Sequence, residues 1–133
     1  MLQLLLASNV YLLGLGAVVS LVVYPSFSLV GDAEWPYFHS EHSRRIALAV
    51  APAWILEAVG STYWLLTGPH RALAVLQGVC ALGAVVLTVL FAVPLHNDIA
   101  AQRTIENLRR LKTAHNLRVV LWLLAVASTW AAL

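Results

Sequence analysis

The stretch IALAVAPAWILEAVGSTYWLLTGPHRALAVLQGVCALGAVVLTVLFAVP, residues 46–94, decides the fold. It contains two long apolar runs, 46–66 and 72–94, joined by the short segment TGPHR. A membrane-spanning helix needs about 20 mainly apolar residues, and each run is long enough. Because the connection between the runs is so short, the stretch predicts two antiparallel neighbouring helices.

Two further apolar segments flank this hairpin, at 4–24, before Pro25, and at 117–133. The first segment lacks a basic start and a small-x-small cleavage site, so we interpret it as a retained helix rather than a signal peptide. Between the third and fourth segments, Ile105, Leu108 and Leu111 recur at helical spacing among basic residues, which indicates a short interfacial helix. We therefore predict one all-α domain over residues 1–133, a polytopic membrane protein with four transmembrane helices. The helices should form an up-down antiparallel bundle, with the interfacial helix before the last span.

The composition limits the classes of protein to which the chain can belong. It is 61% hydrophobic and 11% charged, with a mean hydropathy of +0.82. Soluble domains carry about 25% charged residues, so lipid must be the solvent for most of this surface. The net charge is only +2 and no basic stripe with interleaved aromatic residues occurs, which argues against nucleic-acid binding. The single Cys80 excludes an intrachain disulfide and CxxC chemistry.

The basic residues predict the orientation in the membrane. Seven of the eight Lys and Arg residues fall on the side that carries two helix connections, and only Arg71 falls on the other side. The positive-inside rule then places the two connections in the cytoplasm and both termini outside a cell inner (plasma) membrane. Small residues four apart, such as Gly16 and Ser20, favour close helix packing. Membrane lipid is the expected partner, and a homo-oligomer or a larger membrane complex is compatible with the small size.

Four histidines lie at the ends of apolar segments on this two-connection side. They are His39, His42, His96 and His115. His39 and His42 are three residues apart and share a helix face. Neutral imidazoles suit transition metals such as Fe, Cu or Zn, and three or four of them could hold one ion with an open position. Haem with two axial histidines is a narrower alternative. The other interpretation is that these histidines only line the membrane interface.

A second polar group lies deeper in the predicted bundle. Glu57 is near the middle of the second helix, where an ionisable residue is costly and indicates a function. Asn9 lies at a similar depth on the first helix. Two interpretations are open: a protonated Glu57 that is hydrogen-bonded to Asn9, or a polar track from Glu57 to the histidines.

The remaining candidate residues surround the histidines. Arg45 and Arg118 could stabilise an anion that develops during a reaction, so with Glu57 they are the candidate catalytic residues. Polar side chains that could contact a cofactor or ligand are Tyr24, Asn9 and Asn116.

Several short motifs in these regions match a family pattern. They are Tyr24-Pro25-Ser26-Phe27, Tyr37-Phe38-His39 with His42 and Arg45, Pro52 with Glu57, Val93-Pro94-Leu95-His96, and His115-Asn116-Leu117-Arg118 with Trp122. The chain resembles a group of small bacterial four-helix membrane proteins that are distantly similar to the DUF1772, anthrone-oxygenase-like proteins. The resemblance covers nearly the whole chain. It implies a four-helix fold and oxidation of an aromatic or quinol-like substrate.

These observations leave three functional hypotheses. The first is a metal-dependent oxidoreductase that acts on a hydrophobic small molecule at the histidines. The second is a non-enzymatic subunit of a membrane complex, or a protein that binds lipid, quinone or haem. The third is an oligomeric transporter or proton channel that uses Glu57.

Overall fold

The computed structural model describes all 133 residues and is built from helices, as the sequence predicts. It contains the helices α1 (Leu2–Leu29), α2 (Trp35–Thr67), α3 (Arg71–Ala101) and α4 (Ile105–Trp130). The first three are long and apolar enough to cross a membrane, which is consistent with the predicted membrane protein. We call the end with the α1–α2 and α3–α4 connections the two-loop end, and the end with the α2–α3 turn the one-loop end.

Helices α1 and α3 continue past the prolines at which the sequence predicted them to stop. A π-helical segment precedes each proline: Val19–Val23 lies before Pro25, and Thr88–Ala92 lies before Pro94. A proline ring inside a helix clashes with the carbonyl group four residues earlier. In both helices that carbonyl belongs to the π-helical segment, whose wider turn accommodates the ring.

The predicted interfacial helix is not a separate element. Residues 105–113 form the first turns of α4, which runs without interruption from Ile105 to Trp130. The Thr104 hydroxyl caps this helix by accepting a hydrogen bond from the Asn107 amide at 3.1 Å. The prediction was wrong because no glycine or proline interrupts α4, and because Leu111 and Ala114 are buried against the rest of the bundle.

Each helix packs against two neighbours. Both α2 and α4 contact α1 and α3, so the four helices surround a common interior. Three apolar clusters follow one another along that interior. They are the two-loop cluster around Phe27, Trp35, Ile99 and Leu111, the middle cluster of Leu12, Ala53, Ala84 and Trp122, and the one-loop cluster of Leu5, Trp64 and Ala74.

One arginine ties the two connections at the two-loop end together. Arg103, between α3 and α4, donates hydrogen bonds to the carbonyl oxygens of Phe27 at 2.9 Å and Val30 at 2.7 Å. It also pairs with the Asp32 carboxylate, and its guanidinium lies 4.6 Å from the Trp35 ring centroid. The α1–α2 connection is thereby held against the start of α4.

Candidate functional site

A cavity of about 430 Å³ lies among the four helices in the two-loop half of the bundle. Its volume falls within the roughly 300–1,000 Å³ typical of small-molecule sites. Most of its wall is apolar, and no Asp or Glu side chain lines it. Its ionisable and uncharged polar side chains are Tyr24, His39, Ser43, Thr88, His96, Asn97, His115 and Arg118.

The two π-helical segments shape this cavity. Val19, Thr88 and Ala92, which belong to these segments, line the wall. A π-helical turn adds a residue to the helix and therefore rotates everything that follows it relative to a regular α-helix. In α1 the residue that follows the segment is Tyr24, and in α3 His96 follows it closely. Both side chains line the cavity as a result.

Tyr24, His96 and His39 form a hydrogen-bonded chain across the cavity. The Tyr24 hydroxyl lies 3.4 Å from His96 Nε2, and His96 Nδ1 lies 3.1 Å from His39 Nε2. Two arrangements of hydrogens satisfy this chain. Either Tyr24 donates to His96, which donates to His39, or His39 donates to His96, which donates to Tyr24. The chain can therefore exist in two proton arrangements with the same positions of its heavy atoms.

A second polar pair consists of His115 and Arg118 on α4. A guanidinium can only donate, so the 2.7 Å contact between Arg118 Nη2 and His115 Nδ1 makes that nitrogen an acceptor. His115 Nε2 must then carry the hydrogen, which it donates to the Gly16 carbonyl oxygen at 2.9 Å. His115 is therefore neutral, with both ring nitrogens engaged. Its ring lies 5.0 Å from that of Tyr24, between centroids, which connects the two polar groups.

Several hydrogen-bond donors around the cavity have no partner. Arg118 is 8% exposed and donates to Thr88 Oγ1 at 2.9 Å, but its Nε–H is unpaired. The indole N–H groups of Trp54 and Trp122 are also buried and unpaired, as is the Ser43 hydroxyl. No salt bridge involves Arg118. The cavity therefore offers a buried positive charge and unpaired donors, without a carboxylate of the protein to match them.

The structure brings five of the predicted site residues to this cavity. They are Tyr24, His39, His96, His115 and Arg118.

Three other predicted residues lie at the two-loop half but outside the cavity. His42 packs its ring on His96, 6.0 Å between centroids, and faces a separate groove between α1 and α2. Arg45 is mostly exposed and bonds to Glu41 at 3.0 Å instead of pointing inward. Asn116 accepts a hydrogen bond from the Ser20 hydroxyl at 2.8 Å. Neighbouring positions on a helix thus face different environments.

Glu57 and Asn9 lie nearer the one-loop end, beyond the middle cluster. Asn9 donates to Thr129 Oγ1 at 3.0 Å and to the Ala125 carbonyl at 3.4 Å, and not to Glu57. Glu57 Oε1 has no hydrogen-bond partner. The direct Glu57–Asn9 bond is absent, because the Asn9 amide donates to α4 and Glu57 Oε1 is unpaired. The apolar middle cluster lies between Glu57 and the histidines, so no continuous polar track joins them.

The four histidines do not assemble into a metal site. No three His, Cys, Asp or Glu side chains are grouped so that they could hold a metal ion. Both nitrogens of His115 are engaged, His42 faces the outer groove, and the nearest nitrogens of His39 and His96 contact each other. This donor set does not fit a metal held by all four histidines.

Sequence reasoning did not single out Ser43, Trp54, Thr88 and Asn97 as members of the site. One signal was available for the tryptophan. Trp54 lies well inside an apolar segment, whereas tryptophans of membrane proteins concentrate at the two interfaces. An indole N–H at that depth needs a partner, so its position points to a polar ligand or an internal cavity.

Comparisons with known proteins give no match: no protein-family model, curated protein or solved structure is similar to the chain. The resemblance to the anthrone-oxygenase-like proteins stays a prediction from the short motifs.

Proposed function

We propose that the cavity binds a hydrophobic aromatic molecule with oxygen acceptors, such as a quinone or a deprotonated phenol. The observation that carries this proposal is the buried Arg118 without an acidic partner. A buried charge is costly unless it is paired, and a guanidinium is well suited to an anionic or carbonyl oxygen. A bound oxygen beside Arg118 would supply the missing counterpart.

The wall of the cavity supports the rest of this ligand's chemistry. Apolar side chains would surround an aromatic ring, while the indole N–H groups of Trp54 and Trp122 could donate to a second oxygen. The unpaired groups of Arg118, Trp54 and Trp122 can only donate, whereas the Ser43 hydroxyl can also accept, so a ligand with carbonyl oxygens matches most of them.

The chain of Tyr24, His96 and His39 adds a route for a proton. A phenol or quinol that binds with its hydroxyl near Tyr24 could pass its proton through His96 to His39, toward the two-loop end. Arg118 would stabilise the anion that remains. In the enzymatic form of the proposal, the bound quinol is oxidised: its protons leave through this chain and its electrons pass to an external acceptor such as dioxygen. Binding without turnover is the non-enzymatic form.

We also propose the arrangement in the membrane. Helix α4 would cross it as the fourth span, because it packs against both α1 and α3, which are themselves long and apolar enough to span. The basic residues at the two-loop end support placing this end in the cytoplasm and both termini outside. The cavity would then lie in the cytoplasmic half of the bilayer.

Quenching of tryptophan fluorescence tests the binding proposal, because Trp54 and Trp122 line the cavity. The probes are 1,4-naphthoquinone and its acidic 2-hydroxy derivative, titrated into the protein in lipid nanodiscs. Loss of a hydrogen bond to a charged group costs about 1.5–3 kcal/mol, so Arg118→Gln should raise Kd about tenfold or more. The effect should be larger for the 2-hydroxy anion.

Arg110→Gln is the matched control, since Arg110 is an exposed arginine of the same helix. It should bind both probes like the natural protein, and empty nanodiscs correct for partition into lipid. Equal Kd values for Arg118→Gln and the natural protein would refute the proposal. Oxygen uptake with the reduced probe then separates the enzymatic form from the non-enzymatic form.

A further inference from the structure

A second polar region is buried between the cavity and the one-loop end, and all four helices contribute to it. Each member is at most 7% exposed. We call it the polar layer, and it consists of Ser8, Asn9, Glu57, Ser61, Gln77, Ser128 and Thr129. The cavity wall includes none of these residues.

Contacts between helices place these residues at neighbouring levels. Leu5 of α1 lies opposite Gly60 of α2, because a Cβ added at Gly60 would be 3.1 Å from Leu5 Cβ. Seven residues away along each helix, Leu12 packs in the same cluster as Ala53. Asn9 therefore lies between these contacts, at the level of Glu57.

On α3, Gln77 lies between Ala74 of the one-loop cluster and Ala84 of the middle cluster. Thr129 is bonded directly to Asn9.

The two apolar clusters enclose the polar layer along the bundle axis. The middle cluster separates it from the cavity, and the one-loop cluster of Leu5, Trp64 and Ala74 closes the other side. No Lys, Arg or His belongs to it, so no basic side chain of the layer can neutralise Glu57. In an apolar enclosure, each unpaired polar atom carries a substantial free-energy cost.

The atoms without a partner in this layer are mainly oxygens. They are Glu57 Oε1, Asn9 Oδ1 and Gln77 Oε1, while Gln77 Nε2 is the one unpaired donor. The hydroxyls of Ser8 and Ser61 donate to backbone carbonyls, so their oxygens can still accept. The Thr129 hydroxyl donates to the Ala125 carbonyl and already accepts from Asn9. A proton on Glu57 could satisfy only one of the two amide oxygens, and the unpaired atoms include three oxygens against one nitrogen.

We propose that the polar layer binds a small hard monovalent cation, with Na⁺ as the probe. Carboxylate, amide and hydroxyl oxygens are the ligands that hard cations prefer. Glu57 would supply the compensating negative charge, and the side-chain oxygens of Asn9 and Gln77 would complete the contact. This proposal is independent of the ligand in the cavity.

Thermal unfolding of the purified protein in detergent tests this site. The melting temperature is measured in NaCl, KCl and choline chloride at one ionic strength. A cation that binds only the folded state stabilises it by mass action, so Na⁺ should raise Tm over choline by about 4 °C or more, with saturation. Glu57→Gln, which has the shape of a protonated glutamate, should abolish the rise, and Gln77→Leu should reduce it.

The control variant is Arg110→Gln at the two-loop end, which should retain the full rise. Glu57→Gln should still bind naphthoquinone with unchanged Kd, so failure of this site can be told apart from failure of the cavity. Equal Tm values in the three salts would overturn the proposal. So would an Na⁺ effect that survives in Glu57→Gln. If Glu57→Gln does not fold, Gln77→Leu decides instead: a smaller Na⁺-dependent rise in Tm supports the proposal, and a rise as large as that of the natural protein overturns it.

Discussion

The substitution Gly16→Ala, which adds one methyl group, tests whether the close approach of α1 and α4 shapes the cavity. An added Cβ there would lie 3.0 Å from Val119 Cγ2, and 3.2 and 3.3 Å from two ring carbons of Trp122. An added Cβ at Gly14, two residues earlier on the same helix, would meet no atom within 4 Å. The two glycines therefore share a helix and differ in the space around them.

The expected magnitudes follow from these contacts. Alanine is favoured over glycine in a helix by about 1 kcal/mol, so Gly14→Ala should raise the free energy of unfolding by up to that amount. Gly16→Ala gains the same helix preference but forces Val119 and Trp122 to move, and overpacking of this kind costs roughly 1–3 kcal/mol. The Gly16 variant should therefore be about 1–3 kcal/mol less stable than the Gly14 variant.

Unfolding in mixed detergent micelles, followed by circular dichroism, measures this difference. The same two variants are then titrated with naphthoquinone. Trp122 lines the cavity, and the Gly16 carbonyl accepts a hydrogen bond from His115. Only Gly16→Ala should therefore weaken binding, with a several-fold rise in Kd. Equal stabilities for the two variants would show that the α1–α4 contact is not tight, and the account of the cavity wall would then be incorrect.

The other predictions concern the proline in α3 and the arginine tie at the two-loop end. Pro94→Ala removes the clash that the π-helical segment accommodates, so α3 should become regular and turn His96 by about 100°. The Kd for naphthoquinone should then rise about tenfold while the helix content stays the same. An unchanged Kd would argue against this role of the segment. Arg103→Gln loses its bonds to two backbone carbonyls and its contact with an aromatic ring, and should lower the free energy of unfolding in mixed micelles by about 2 kcal/mol. Asp32→Asn, at a side chain that is 98% exposed, should change the free energy of unfolding by less than about 0.5 kcal/mol. Equal losses for the two variants would contradict the inference that Arg103 stabilises the fold mainly through its bonds to the carbonyls.

The helical bundle could be predicted from the sequence because its signals are local. Long apolar runs and the short TGPHR connection are enough to place helices α1 to α3. The helix ends at Pro25 and Pro94 could not be predicted in this way, because a proline ends a helix in one context and is accommodated by a π-helical turn in another. That choice depends on packing between helices, which the local sequence does not contain.

The site was predictable only as a region. The spacing of the apolar segments and the distribution of charge predicted that His39, His96, His115 and Arg118 lie at one end of the bundle, and the structure places them there. Which nitrogen meets which atom depends on the rotation of each helix, and one added residue in a π-helical segment changes that rotation by about 100°. The engagement of His115 also depends on a backbone carbonyl of α1, for which the sequence of α4 carries no signal.

Arg118 and Glu57 would be natural partners for each other, and yet the fold keeps them apart. The middle cluster of Leu12, Ala53, Ala84 and Trp122 lies between them. An ion pair between the two side chains would neutralise both and remove the capacity of either region to bind anything else. Separated, one region keeps a positive charge with unpaired donors, and the other keeps a carboxyl group with unpaired acceptors. The two proposed ligands therefore have opposite character, an oxygen-bearing aromatic molecule in the cavity and a cation in the polar layer. The apolar cluster between the two regions would allow one small bundle to bind both.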